Sequence, residues 1–474
     1  MIRVQTPPQA ETPAEIENRE VAGTSVPLST RVTYALGSVA YGIKDNGFSV
    51  FLLLFYNQVV GLDAGLVGLM LFLALLVDAL IDPMVGHLSD RTRTRWGRRH
   101  PWLYASAIPI AVFWILLWMP PEAGQTEQLA WLFIFATLVR MSLSFNEVPS
   151  IAMAPEMTSG YHERTSLLGL RYLFGWAGGL IMLALAFDFF KLAEPESASR
   201  DNFYTYALTG AVVMFISVLV AAIGTHRHFA KPSAAGAHQP TLRDMLSCLK
   251  FQPFLILLLA AFFAFANQGI GFSLSTYLLN YIWLFTTEQQ VLYAFTLFIG
   301  VLAALWVARH MGLRFGKRGA AIRLAIVTSL MAALPYCLFV VGWFPQSGTW
   351  AAMVVYFAMV IVSTSTGVAL FVTTSSMMAD VTSEFQKIGG KQQEGVFFAG
   401  YFFMQKSVTG VGILVAGQIL KFIEFPEKAS TVTVSPAVTA ALAQSYVVMT
   451  LALGLATAWA ISRFPRTDGA MHNK

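Results

Sequence analysis

Residues 78–99, with the sequence DALIDPMVGHLSDRTRTRWGRR, place an acidic pair at the end of an apolar segment and a basic loop directly after it. Asp78 and Asp82 are four residues apart, so a helix presents both carboxylates on one face, one turn apart. A charged side chain inside a membrane is costly and is usually retained for function. Five arginines follow between Arg91 and Arg99, and such clusters mark the cytoplasmic end of a membrane helix. The stretch therefore predicts a transmembrane helix with a functional acidic pair, followed by what we call the arginine loop (residues 91–99).

The composition of the whole chain agrees with a membrane protein. Of 474 residues, 56% are hydrophobic and only 12% are charged, whereas soluble domains carry about 25% charged residues. Apolar segments recur along the chain without the residue-by-residue alternation of a transmembrane β-barrel. The net charge of +5 is spread over short loops, so we expect no nucleic-acid partner. Cys248 and Cys337 have no metal-type spacing and predict neither a disulfide framework nor a zinc site.

The apolar segments predict an all-α membrane protein with twelve transmembrane helices in two six-helix bundles. Each segment is long enough to cross a hydrocarbon core of about 30 Å. The bundles comprise residues 32–224 and 251–462. The predicted spans are 32–58, 64–89, 101–119, 126–153, 166–190, 203–224, 251–281, 287–308, 319–341, 348–378, 394–420 and 437–462.

Lysine and arginine are concentrated in the loops on one side of this predicted topology. The loops at 59–64 and 342–349, on the other side, contain neither. This asymmetry predicts that both termini are cytoplasmic in a multi-pass protein of the bacterial inner membrane, with the bilayer itself as a partner. Residues 1–31 are then a disordered cytoplasmic tail, 225–250 a cytoplasmic linker and 463–474 a second cytoplasmic tail.

A short internal repeat supports two related halves. WGRR at 96–99 follows the second span, and FGKR at 315–318 follows the eighth, so both lie in the second loop of a six-helix unit. Parallel repeats of six helices are typical of transporters of the major facilitator superfamily, whose substrate binds between the halves near the membrane midplane. The pattern predicts a carrier that functions as a monomer by alternating access.

The acidic pair has two possible roles. Two carboxylates one turn apart repel each other, and a proton or a Na⁺ ion between them relieves the repulsion. Ser144 on the fourth predicted helix could supply a further oxygen to such a cation site. Alternatively, the pair is structural and is neutralised by Arg140 or Arg171.

Other charges at membrane depth predict a substrate site. Arg140, Ser144 and Glu147 share one helix face, so Glu147 could accept hydrogen bonds from substrate hydroxyls while Arg140 orients the substrate. An ion pair without ligand contact is the alternative for Arg140. Lys406 is a charged residue in the middle of a predicted membrane span of the second half, 394–420. It could bind acids of the first half or the substrate, and a purely structural salt bridge between the halves is its alternative.

Several motifs resemble the glycoside–pentoside–hexuronide:cation symporter family, the melibiose permease-like transporters. DPMVGHLSDRTRTRWGRRHPWL is the most specific of these motifs. YGIKDNGF, NEVPSIAMAPE, ERTSLLGLRYLFGWAGG, MMADVTSEF and EGVFFAGYFFMQKSVTGVG extend the resemblance over most of the chain. The resemblance implies the major facilitator fold and cation-coupled symport, with H⁺ or Na⁺ as the coupling ion and no other cofactor.

The resemblance also implies roles for individual residues. Asp78 and Asp82 match the cation-site aspartates, which are also metal ligands if the ion is Na⁺, and Ser144 matches a hydroxyl residue beside them. Residues that match positions lining the substrate site are Glu147, Arg171, Lys406 and either Asp45 or Gly42, to which the helix-face argument adds Arg140.

Two departures from the family pattern affect the expected substrate and ion. Ile151 replaces a tryptophan that packs against the sugar ring, which argues against a galactoside. Ile81 replaces an asparagine linked with Na⁺ use, which favours H⁺ mildly. We expect a small sugar, glycoside or sugar acid as the substrate. A lysolipid or other amphipathic molecule is one alternative, and a transporter-like sensor is another. A membrane enzyme is disfavoured, because the eight histidines form no HExxH or paired motif.

The arginine loop could also act as a conformational latch. Its charges could pair with acids at the ends of other helices, around Glu156, Glu163 or Asp380, and so hold one conformation. A plain topology signal is the alternative. The residues of the predicted latch are Asp90, Arg91, Arg95, Arg98, Arg99 and Asp380.

Overall fold

The computed structural model describes residues 26–158, 161–192, 199–228, 251–387, 394–428 and 434–465, and these segments are almost entirely helical. We number the helical runs α1 to α12. They are α1 (28–60), α2 (Ala64–Arg91), α3 (His100–Leu117), α4 (Gln125–Met157), α5 (Tyr161–Asp188), α6 (Arg200–Thr225), α7 (Gln252–Tyr281), α8 (287–315), α9 (317–341), α10 (Trp350–Lys387), α11 (Glu394–Phe422) and α12 (Pro436–Ser462).

The described residues contain twelve spans. Ten helices satisfy length and hydropathy criteria for crossing a membrane, and one of these, Thr287–Val341, is 55 residues long. At 1.5 Å per residue a straight helix of that length would extend about 80 Å, far more than one bilayer core. Gly316 interrupts it with non-helical backbone, so it forms α8 and α9. The first run, α1, completes the twelve.

The first run is irregular along its length. It contains π-helical turns at Gly47–Phe51 and Phe55–Val60, separated by a short α-helical piece at Leu52–Leu54. Isolated π-turns are rare and occur frequently at functional sites. The sequence did not predict these turns, because an apolar run of this kind is compatible with an unbroken α-helix.

The internal repeat has a physical basis in backbone geometry. Gly97 of WGRR and Gly316 of FGKR both adopt positive φ, at 81° and 67°. This conformation is strained for residues with a Cβ atom and is accessible to glycine. Each glycine therefore allows the sharp turn that reverses the chain between α2 and α3 and between α8 and α9.

The helices pack as two bundles of six. In the first bundle α2 packs on α4, α3 on α4 and α6, and α1 on α5 and α6; in the second, α8 and α9 pack on α10 and α12, and α7 packs on α11 and α12. The bundles contact each other mainly through α2 with α11 and through α5 with the α8–α9 segment. This arrangement confirms the predicted fold class. The exact domain bounds stay a prediction, and most of the predicted tails, the linker region 229–250 and Cys248 lie outside the described residues.

Glycines allow α1 to approach α5 closely. A Cβ atom at Gly42 would overlap the backbone carbonyl of Gly175 and lie 2.8 Å from the backbone nitrogen of Gly179. Because the obstacle is backbone, a small rotamer change cannot relieve it. We therefore expect Gly42→Ala to separate the two helices and to lower the free energy of unfolding by about 1–3 kcal/mol.

The matched control for this change is Gly169→Ala on α5, where a Cβ atom has no neighbour within 4 Å. Thermal unfolding of both purified variants measures the difference. Equal melting temperatures for the two variants would show that the close approach of α1 and α5 is not needed for stability.

Candidate functional site

The acidic pair lies on α2, with Asp78 almost fully buried at 2% exposure. Arg140 on α4 donates to Asp78 Oδ2 from Nη2 at 2.8 Å and from Nε at 3.1 Å. Ser144, one turn further along α4, donates its hydroxyl to Asp78 Oδ1 at 2.8 Å. Of the two arginines that the sequence offered as partners for the pair, the structure therefore brings Arg140 to Asp78.

Lys406 on α11 connects the two halves of the molecule at this point. Its Nζ lies 2.5 Å from Asp82 Oδ2, 3.6 Å from Asp78 Oδ2 and 3.9 Å from Glu147 Oε2. The side chain is 18% exposed. One ammonium group of the second half is thus shared by three carboxylates of the first.

These side chains form a contiguous set that we call the acidic network: Asp78, Asp82, Arg140, Glu147 and Lys406. Three ionised carboxylates and two cations leave it one negative charge in excess, and the neighbouring buried Lys44 leaves this balance unchanged because Asp45 pairs with it at 3.8 Å. In addition, Asp82 Oδ1 is buried without a hydrogen-bond partner in the described structure. A buried carboxylate oxygen without a partner is costly. The network therefore has both the charge and the free atom to accept one proton or one monovalent cation.

Asp45 and Gly42, the alternative residues on α1, differ in what they can contribute. The Asp45 side chain is 55% exposed, and Oδ1 lies 3.8 Å from Nζ of its buried neighbour Lys44. Lys44 Nζ also lies 4.2 Å from the centroid of the Tyr41 ring. Gly42 is buried at the contact with α5 and has no side chain to offer. Asp45 is the better candidate for a ligand contact.

Arg171 on α5 is buried and takes part in none of the ion pairs described for the acidic network. Its Nη1 donates to the hydroxyl of Ser150 at 2.6 Å, and its guanidinium lies 5.7 Å from the centroid of the Tyr34 ring. The Tyr34 hydroxyl in turn donates to the backbone carbonyl of Ser150 at 3.0 Å. The sequence did not identify Ser150 and Tyr34 as neighbours of Arg171. Their only signal in the sequence is that each is a polar residue within an apolar segment.

The two halves are held together at the face of the membrane where α2 begins, which we call the Asp63 face. Lys421 Nζ lies 3.3 Å from Asp63 Oδ2 there, and Gln58 donates to the carbonyl of Pro426 at 3.0 Å. The Tyr277 hydroxyl donates to the Asn57 side chain at 3.0 Å. Helices α2 and α11 also approach closely through glycines. A Cβ atom added at Gly68 would lie 3.4 Å from the Cα atom of Gly417.

At the arginine-loop face the described ion pairs lie within each half. Arg98 binds Glu156 at 2.8 Å, and Arg99 binds Glu156 at 3.1 Å and Asp90 at 2.5 Å. Lys317 binds Asp380 at 2.6 Å. Arg98 and Lys317 follow equivalent glycines of the repeat, and Glu156 and Asp380 lie on the equivalent helices α4 and α10. The same pair therefore occurs once in each bundle.

The partners of the other residues of the predicted latch differ from one another. In this conformation Asp380 pairs with Lys317 of its own bundle. Glu163 binds Arg31 at 2.6 Å rather than an arginine of the loop. Arg91 and Arg95 are exposed, and Arg95 lies over its neighbour Trp96. A latch between the halves stays a prediction for a different conformation.

Glu163 lies just before the apolar part of α5 and anchors the start of α1. Partial burial raises the pKa of its carboxyl group, but hydrogen bonds from the Thr158 hydroxyl and the Val26 backbone, together with Arg31, hold that pKa below its usual range. Glu163 therefore contributes to the structure as an ionised group at neutral pH.

Comparisons with known proteins extend these observations. Residues 33–468 match a family model described as MFS/sugar transport protein. The chain is 26% identical over 416 residues to the glucuronide carrier protein homolog of Escherichia coli K12, covering 84% of this chain and 86% of that one. It is 24% identical to sodium-dependent lysophosphatidylcholine symporter 1-A of Danio rerio, covering 83% and 77%.

Two further matches differ in extent. A 33% identical match to the uncharacterized symporter sll1374 of Synechocystis spans about a third of each chain, 35% of this one and 32% of that one. Among solved structures, the inward open xylose transporter XylE of E. coli superposes with a TM-score of 0.62 at 13% identity, covering 93% of this chain and 97% of that one. Together with the family model, this superposition shows the major facilitator fold.

Proposed function

Because the chain belongs to the MFS/sugar transport protein family, we propose that it is a secondary active transporter that couples the movement of a small sugar, glycoside or sugar acid to a cation. Relatives that match most of the chain are named as carriers of glucuronides or as glycoside/cation symporters. The chain functions as a monomer within the bilayer, by alternating access, and catalyses no chemical reaction.

The observation that carries this proposal is the unbalanced acidic network. Its excess of one negative charge lies at the contact between the halves, where α2 of the first bundle meets α11 of the second. Asp82 Oδ1 is a buried oxygen of this network that has no hydrogen-bond partner among the described residues. A single bound cation removes the excess charge at the place where the two halves must move relative to each other.

The transport cycle follows from the cost of burying charge. When the cation binds Asp82, the network becomes neutral and Lys406 is held less tightly. The substrate then binds beside it, with its hydroxyl or carboxylate groups on Glu147, Arg171, Asp45 and Lys406. In the empty carrier Lys406 is paired with Asp82. A carrier with only one of the two ligands loses part of this pairing and leaves polar groups of the site without partners in a closing cavity, which is costly. Only the empty and the fully loaded carriers reorient readily.

Orientation in the membrane completes the proposal. Positive residues are retained on the cytoplasmic side, so the arginine loop and both termini face the cytoplasm. The halves are joined at the Asp63 face by Asp63–Lys421 and Gln58–Pro426. The carrier is thus closed toward the periplasm. When it reorients, the charged side chains that now pair within each bundle at the arginine-loop face form contacts between the bundles.

A lipid substrate is the second candidate, favoured by the similarity to the zebrafish lysophosphatidylcholine symporter over 83% of this chain. A third, a sensor that binds solute without moving it, shares the same site. Transport assays separate the three. A carrier for sugars accumulates a water-soluble solute, a lipid carrier does not, and a sensor binds without net flux.

The test uses purified protein in sealed proteoliposomes with an imposed cation gradient. Labelled neutral glycosides, uronic acids and lysophosphatidylcholine are offered separately. We expect accumulation of a sugar or sugar acid only when the cation gradient and the membrane potential are directed inward. Transport of lysophosphatidylcholine alone, or binding of sugars without any flux, would overturn the proposed function.

A further inference from the structure

Arg140 is held in a fixed position beside Asp78. Two of its N–H groups converge on Asp78 Oδ2, at 2.8 and 3.1 Å. On its other side, the guanidinium lies 5.1 Å from the centroid of the Phe48 ring, which belongs to the π-helical turn of α1. The side chain is 5% exposed. A planar guanidinium held by an ion pair and an aromatic face has little freedom to leave.

This placement affects what else Asp78 can bind. Oδ2 already accepts from Arg140, and Oδ1 already accepts from Ser144. Hard metal cations bind through several oxygen ligands at short distance. A Na⁺ ion at Asp78 would have to share these oxygens with a full positive charge a few ångströms away, in a site of low dielectric constant. The described residues also provide no set of three or more acids, histidines or cysteines that could hold a metal ion.

We propose that Arg140 is a built-in cation that occupies the metal position at Asp78, excludes Na⁺ from the acidic pair and so makes the carrier proton-coupled. The inference deepens the proposed function and rests on it. Because Asp78 is neutralised within the protein, Asp82 Oδ1 is the buried oxygen of the acidic pair that is left to bind the coupling ion. A proton needs a single oxygen, whereas Na⁺ needs several.

The charges around the acidic pair come from four helices. Asp78 lies on α2 with Asp82, Arg140 and Glu147 lie on α4, and Lys406 lies on α11. Lys44 lies on α1, where Asp45 pairs with it. Protonation of Asp82 adds one O–H bond and removes one negative charge, and the network changes from one excess negative charge to neutrality. The proton comes from water on one side of the membrane and returns to water on the other.

The test measures Na⁺ binding by thermal unfolding of the purified full-length protein, with NaCl replaced by choline chloride at constant ionic strength. We expect no difference between Na⁺ and choline for the unaltered protein. In Arg140→Gln the network carries two excess negative charges and Asp78 is free, so we expect an increase in Na⁺ affinity of at least about 100-fold, seen as a Na⁺-dependent rise in melting temperature.

Two further variants identify the cause of any such gain. Arg140→Lys keeps the positive charge and should show no response to Na⁺. Arg140→Gln combined with Asp78→Asn lacks the vacated carboxylate and should lose the response that Arg140→Gln gains. If Arg140→Gln folds but does not respond to Na⁺, the proposal is wrong.

The unaltered protein decides the question if the variants do not fold. Saturable stabilisation of that protein by Na⁺, removed by Asp78→Asn, would overturn the assignment of Arg140 while leaving cation-coupled transport intact. Absence of Na⁺ stabilisation in the unaltered protein, together with proton-driven uptake in the proteoliposome assay, supports it. Failure of all cation coupling would instead contradict the proposed function.

Discussion

Replacing Asp82 by asparagine is expected to abolish solute accumulation while solute exchange continues. The amide cannot bind the coupling cation, and the acidic network is already neutral without it, because two carboxylates then face two cations. One elementary charge crossing 100 mV supplies about 2.3 kcal/mol, which supports roughly 50-fold accumulation of a neutral solute at 1.4 kcal/mol per tenfold. We expect this ratio to fall to about one, whereas exchange of labelled for unlabelled solute persists.

Asp63→Asn is the matched control for this prediction. Asp63 lies on the same helix but caps its N-terminus at the other face, with its carboxylate accepting from the Leu66 backbone at 2.9 Å. Asparagine is an equally good N-cap, so stability should change little. Accumulation should survive. If Asp82→Asn accumulates solute as well as Asp63→Asn does, then Asp82 is not the coupling site.

Replacing Lys406 by methionine is expected to destabilise the closed Asp63-face conformation and to eliminate transport. The change leaves three carboxylates with one cation, so the network carries two excess negative charges in a largely buried site. Removing one partner of a buried ion pair costs about 3–5 kcal/mol. Lys421→Met on the same helix is the control, since Lys421 is 52% exposed and such surface pairs contribute about 0–1 kcal/mol.

A double variant tests whether charge is the cause of the Lys406 effect. Lys406→Met with Asp82→Asn returns the network to one excess negative charge. Its melting temperature should therefore recover toward that of the unaltered protein, although coupling stays lost. Equal destabilisation of the single and double variants would mean that Lys406 acts by packing rather than by its charge.

Much of the architecture was predictable from the sequence, because membrane spans are set by apolar length. The predicted span 64–89 corresponds to the helix Ala64–Arg91 in the structure, and the predicted span 437–462 corresponds to Pro436–Ser462. The irregular first helix was not predictable. Its π-turns depend on how Phe48 and its neighbours pack against other helices, and an apolar run does not encode that packing.

The candidate site was predictable in its members but not in its pairing. Asp78 and Asp82 were found by their spacing, and Lys406 by its position in an apolar helix. The sequence offered Arg140 and Arg171 equally as partners of the acidic pair. Only the packing of α4 against α2 brings Arg140 to Asp78, whereas Arg171 faces Ser150. The pairing of Asp380 with Lys317 likewise depends on the packing of α9 and α10, which one-dimensional spacing does not specify.

The most direct measurement of the central claim is the charge moved per solute molecule in proteoliposomes. Solute flux and net charge flux are recorded together while a potassium diffusion potential holds the membrane voltage. A network with one excess negative charge and a buried carboxylate oxygen without a hydrogen-bond partner predicts a single positive charge carried with each neutral solute molecule. Solute flux that is independent of voltage and of every cation gradient would contradict it.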